Sequence, residues 1–95
     1  MNSLKELNHS LKEYLQNAEL RDSFPDFQDV DYLRSTVQIF ALEMIPQFIP
    51  DEKLDEFMNI SDENMTEETF KKYIIDYPSF LEKVRAEFIA NLLLS

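Results

Sequence analysis

Apolar residues recur every three or four positions along the first part of the chain, which is the spacing of one face of an α-helix. Between residues 3 and 18 these positions are Leu4, Leu7, Leu11, Leu15 and Ala18. Ser3, followed by Glu6 three residues later, has the pattern of a capping box at a helix N-terminus. The sequence therefore predicts a first amphipathic helix over residues 3–18.

The same spacing predicts four further helices. They cover residues 28 or 29 to 45, 50–59, 66–76 and 79–94. Pro25 lies in the turn before the second helix, and Pro46 is expected to end or kink that helix because its ring clashes with the preceding turn. Thr66 is the expected N-cap of the fourth helix, and Ser79 with Glu82 has the capping-box pattern at the start of the fifth.

The absence of glycine narrows the fold class. Tight β-hairpin turns need positive φ angles, which glycine adopts without steric cost, and the chain contains no glycine. Glycine-dependent phosphate-binding loops are excluded for the same reason. We therefore expect an all-α protein, a single domain over residues 1–95 built as a small bundle of four to five helices. The residues expected in its core are Leu7, Leu11, Leu33, Val37, Phe40, Met44, Phe57, Phe70, Ile74, Leu81, Val84 and Phe88.

Composition and charge exclude several classes of function. The chain has 19 Asp and Glu residues against 9 Lys and Arg residues, a formal net charge of −10, so we expect no direct nucleic-acid binding and no membrane binding. There is no cysteine, and His9 is the single histidine, so we expect neither an enzyme nor a cofactor or metal. No secretory leader is visible and no apolar stretch approaches the roughly 20 residues that a bilayer requires, which makes a cytoplasmic location the expectation.

Most of the excess negative charge is concentrated in residues 51–68. The acids there are Asp51, Glu52, Asp55, Glu56, Asp62, Glu63, Glu67 and Glu68. One interpretation is that they stabilise helix N-termini and keep the protein in solution. A second is that they form a surface that docks onto a basic patch of a protein partner. A third is a calcium site at Asp62, Glu63 and Asn64, although the spacing and the glycine of an EF-hand are missing.

The C-terminal helix is predicted to be apolar on nearly every side. In residues 88–94 only Asn91 is polar, whereas a terminal helix normally keeps one polar face. Either this helix is central in the bundle, or another chain covers its second apolar face, as in a homodimer. The candidate oligomer face consists of Ile89, Leu92, Leu93 and Leu94.

The second half of the chain resembles a small helical domain of unknown function found chiefly in uncultivated candidate-phyla bacteria. The residues that carry the resemblance are PDEKLDEF (50–57), YPSFLEKV (77–84) and EF (87–88). The resemblance implies a helical fold and a prokaryotic origin, and it implies no activity and no site residues.

These observations predict a non-enzymatic acidic helical protein that binds a protein partner through its acidic surface, in the role of an inhibitor, an antitoxin or immunity protein, or a chaperone-like protein. The alternative is a structural or assembly subunit that self-associates through its apolar C-terminal helix. Salt distinguishes the two, because screening weakens a charge-steered complex and leaves an apolar assembly intact.

Overall fold

A computed structural model describes residues 1–94, which form six α-helices joined by short turns and 3₁₀-helices. The α-helices are α1 (Leu4–Tyr14), α2 (Ala18–Ser23), α3 (Val30–Met44), α4 (Asp51–Met58), α5 (Glu67–Tyr73) and α6 (Tyr77–Leu94). No residue in this range belongs to a strand, so the all-α prediction is confirmed. The number of helices exceeds the expected four to five because the predicted first helix is followed by a separate short one.

The first predicted helix ends before residue 18 because the backbone changes after Tyr14 from α-helical to 3₁₀-type hydrogen bonds. The N–H groups of Gln16 and Asn17 donate to carbonyls three residues back, at 3.1 and 3.4 Å, as in the last turn of many helices. The Asn17 side chain then accepts the N–H of Glu19 at 3.0 Å and becomes the N-cap of α2. Asparagine favours this position because its side chain competes with the backbone ladder of a continuous helix.

The last helix begins two residues earlier than predicted, and the expected capping box at Ser79 is wrong. Asp76 caps α6: one carboxylate oxygen accepts the Ser79 N–H at 3.4 Å and the other accepts the Ser79 hydroxyl at 2.7 Å. The φ angle of Asp76 is 54°, in the left-handed region that Asp and Asn enter more readily than other non-glycine residues. Pro78 lies in the first turn of α6, where a missing N–H removes no helical hydrogen bond.

Helix α6 is the centre of the fold and packs against α1 and α3. Phe88 of α6 is fully buried, and its ring makes edge-to-face contacts with Phe27, at 5.4 Å between centroids, and with Phe40, at 5.5 Å. Every residue of the predicted core is buried except Phe40, which is half-buried at the edge of the cluster. No helix within residues 1–94 is both long and apolar enough to cross a membrane.

Candidate functional site

The acidic segment, defined here as residues 51–68, comprises two helix starts and the turn between them. Asp51 and Glu52 lie in the first turn of α4, and Asp55 and Glu56 follow one turn later. The other acids are Asp62 and Glu63 in a 3₁₀ turn, and Glu67 and Glu68 in the first turn of α5. Carboxylates near a helix N-terminus are favoured by the helix dipole. Part of this charge therefore stabilises α4 and α5 locally.

Glu56 links α4 to α5 through a side-chain hydrogen bond. Its Oε1 accepts the Tyr73 hydroxyl at 2.8 Å. This hydrogen bond, the burial of the phenol and the charge on Glu56 all favour the neutral phenol, and they raise the pKa of Tyr73. Glu56 is thus a structural contact in the free protein.

Glu67 links α5 to the start of α1 through a hydrogen bond to the backbone. Its Oε2 accepts the N–H of Leu4 at 3.1 Å, and its Oε1 lies 3.7 Å from the Nζ of Lys71. Leu4 is the first residue of α1, and its N–H has no partner inside its own helix. Glu67 therefore caps α1 from a helix more than sixty residues away in the sequence.

Six acids of the segment are exposed and take part in neither an ion pair nor a side-chain hydrogen bond among the described residues. They are Asp51, Glu52, Asp55, Asp62, Glu63 and Glu68. Within residues 1–94, no three His, Asp or Glu residues lie close enough together to hold a metal ion. The calcium interpretation of Asp62, Glu63 and Asn64 therefore gains no support from the geometry.

The candidate oligomer face is divided between the interior and the surface. Leu92 is buried within the chain itself, and Ile89 is partly buried against the same core. Leu93 and Leu94 are exposed, with 67% and 87% of their surface accessible. The breadth of the apolar face on α6 thus follows largely from its central position, and two leucines are left facing outward.

The structure has a groove between α1 and α3 that the sequence pattern did not indicate. Its volume is about 540 Å³, within the range of roughly 300–1,000 Å³ that is typical of ligand sites. Its apolar lining includes Leu4 of α1, Phe70 of α5 and, from α3, Val30, Leu33, Val37 and Leu42. Leu33, Val37 and Phe70 are buried at its base, whereas Val30 and Leu42 are about half-exposed along its side.

The polar residues that line this α1–α3 groove are basic or neutral. Lys5, His9 and Lys12 of α1 and Arg34 of α3 are exposed along its edges, and no Asp or Glu appears among the lining residues in the described part of the chain. His9 contacts Glu13 at 3.0 Å, and Arg34 lies 3.9 Å from Asp31. The groove is therefore a basic site on an acidic protein.

One lining residue holds an unsatisfied polar atom. The Oδ1 of Asn8 is buried and has no hydrogen-bond partner among the described residues. A buried acceptor without a partner costs about 1–3 kcal/mol of stability. The only sequence signal for the groove is that Lys5, Asn8, His9 and Lys12 share one face of the first helix.

Comparison with known proteins identified no relative: no protein-family model, no curated protein and no solved structure matches this chain. The resemblance to a bacterial helical domain stays a prediction.

Proposed function

We propose that this chain is a non-enzymatic interaction protein that binds a basic surface of a protein partner through the exposed carboxylates of the acidic segment. The observation that supports the proposal is that only two of the eight acids make tertiary hydrogen bonds within the described chain. Glu56 and Glu67 make tertiary hydrogen bonds, whereas the other six are exposed and unpaired in the described chain. Mutual repulsion among them is a cost to the free protein, which a cationic partner would relieve.

The proposed role is that of an inhibitor, an antitoxin or immunity protein, or a chaperone-like protein in the cytoplasm. Such proteins act by covering a functional surface of their partner. Attraction between an acidic and a basic face accelerates the encounter and disfavours partners of the wrong charge. No chemistry is required of the chain itself.

The test is a charge reversal that spares the two structural acids. The variant carries Asp55→Lys, Asp62→Lys, Glu63→Lys and Glu68→Lys. The matched control carries Glu19→Lys, Asp22→Lys, Asp26→Lys and Glu43→Lys, which makes the same change in net charge at exposed acids outside the segment.

Both variants are titrated against the partner that affinity capture recovers, after circular dichroism has established equal helicity. The proposal expects the first variant to associate at least about tenfold more slowly and the control to stay within about twofold of wild type. Equal association by the two variants would contradict it.

A second candidate function is an assembly subunit that self-associates through α6. The exposure of Leu93 and Leu94 supports it, although Leu92 is already buried within the chain. The double variant Leu93→Glu, Leu94→Glu would convert a dimer to a monomer in sedimentation velocity, and high salt would not. A wild-type protein that is monomeric at high concentration would contradict this candidate.

A further inference from the structure

The α1–α3 groove combines an apolar base with basic edges, and these two properties restrict what it can bind. Its lining runs from Leu4 to Lys12 on α1 and from Val30 to Leu42 on α3. At 1.5 Å per residue these stretches are about 12 and 18 Å long. The groove is thus an elongated channel along the two helices, and Val30 and Leu42 of its lining are about half-exposed to solvent.

The basic groups are distributed along the channel. Lys5 and Lys12 are seven residues apart on α1, which is two turns and about 10 Å. Arg34 stands on the opposite wall. Lys5 and Lys12 form no ion pair with any described residue, so their charges are available to a ligand.

This arrangement distinguishes between ligands. A fatty acid has one carboxylate and would use one of these basic groups, leaving the others without a partner. An amphipathic helix of about three turns has the length of the α3 wall, and acids on both flanks of its apolar face would reach both walls. Acids two turns apart on such a helix have the same spacing as Lys5 and Lys12.

We infer that the α1–α3 groove binds an amphipathic α-helix of a protein partner, with the apolar face of that helix on the groove base and its flanking acidic residues beside Lys5, Lys12 and Arg34. This surface is separate from the acidic segment and has the opposite charge. The chain would thus have two binding surfaces. The acidic segment would bind the basic partner of the proposed function, and the α1–α3 groove would bind an acidic helix.

The probe is a fluorescein-labelled helix of about 18 residues, made of Leu, Glu and Ala, with leucines on one face and glutamates along both flanks. A second peptide replaces each Glu by Gln and keeps the leucines, so it carries no charge that the acidic segment would attract. Fluorescence anisotropy with the full chain should give binding of the acidic helix that is at least about tenfold tighter than that of the neutral helix. Binding of both peptides alike, or of neither up to about 1 mM, overturns the inference.

Two pairs of variants locate the binding. Leu42 and Ile39 both lie on α3 with 44% and 57% of their surface exposed, but only Leu42 lines the groove. Leu42→Asp should weaken binding of the acidic helix at least about tenfold, and Ile39→Asp should change it less than about twofold. Equal effects of the two substitutions overturn the inference.

The second pair tests the charges. The double variant Lys5→Glu, Lys12→Glu should weaken binding at least about tenfold. The double variant Arg21→Glu, Lys53→Glu changes the net charge equally at exposed positions on α2 and α4, and it should leave binding within about twofold.

Two other occupants are tested by peptide displacement and by the oligomeric state of the chain in sedimentation velocity. Displacement of the peptide by sodium decanoate as effectively as by unlabelled acidic helix would assign the groove to fatty acids. A wild-type dimer that Leu42→Asp dissociates, in the absence of peptide binding, would assign it to a second copy of the chain. Either result overturns the inference.

Discussion

Replacing Glu67 tests whether this acid belongs to the fold or to the docking surface. Glu67→Ala removes the acceptor of the Leu4 N–H, a hydrogen bond of 3.1 Å between α5 and α1. A hydrogen bond to a charged group contributes about 1.5–3 kcal/mol, and the lower end applies because 28% of the Glu67 side chain is exposed. Adding a helix-dipole contribution of about 0.3–1 kcal/mol gives an expected loss near 2 kcal/mol.

Glu68→Ala is the matched control, because Glu68 lies in the same first turn of α5 and is exposed. It should lose only the dipole contribution, under about 1 kcal/mol. Glu67→Gln keeps an oxygen acceptor without the charge, so it should fall between the two. The free energies of unfolding are measured by urea titration followed by circular dichroism. If the losses for Glu67→Ala and Glu68→Ala lie within about 0.5 kcal/mol of each other, Glu67 is not a structural contact.

Three further predictions concern buried groups. Tyr77→Phe should raise the free energy of unfolding by roughly 1 kcal/mol, because the Tyr77 hydroxyl is buried and unpaired among the described residues. Burial and then the charge of Glu67 raise the pKa of Tyr77 above its usual 10.0, because both disfavour the phenolate in the folded chain. Ionisation of Tyr77 therefore costs no stability below about pH 10, and it lowers the free energy of unfolding as the pH rises above that value. Urea midpoints between about pH 8 and 11 should accordingly fall less steeply for Tyr77→Phe than for wild type, and parallel curves would contradict the linkage. Phe88→Ala should cost about 3–5 kcal/mol in the same assay and the half-buried Phe40→Ala distinctly less, so equal costs would show that Phe40 is also fully buried. Asn8→Ala should stabilise by about 1 kcal/mol, since it removes an unpaired acceptor and improves helix propensity; a loss of stability would show that the Asn8 amide is hydrogen-bonded.

The local pattern of the sequence predicts most of the helices and the core because both follow from spacing along the chain. Leu7 and Leu11 share a helical face in the sequence and are fully buried in the structure. Caps are less predictable, because several polar residues compete for one helix end. Asp76 takes the place expected for Ser79 by entering the left-handed region, a conformation that no spacing rule indicates.

The candidate sites depend on packing between distant segments, which spacing does not reveal. Glu67 and Glu68 are adjacent in the sequence, yet one caps α1 and the other is exposed. The α1–α3 groove is likewise formed by helices that are not consecutive in the sequence, since α2 lies between them, and Phe70 of α5 completes its lining. Its lysines, Lys5 and Lys12, have the pattern of an ordinary polar helix face, and their significance emerges only when α3 supplies the apolar wall opposite.

The ionic-strength dependence of association tests the proposed docking surface most directly. The association rate constant of the wild-type chain with its recovered partner is measured between about 0.01 and 1 M salt, over which the Debye length falls from about 30 to 3 Å. Docking through the exposed acids predicts a decrease of at least about tenfold, with a much smaller decrease in the variant Asp55→Lys, Asp62→Lys, Glu63→Lys, Glu68→Lys. A rate constant that salt leaves unchanged in the wild type would contradict the claim and assign those acids to helix stabilisation and solubility alone.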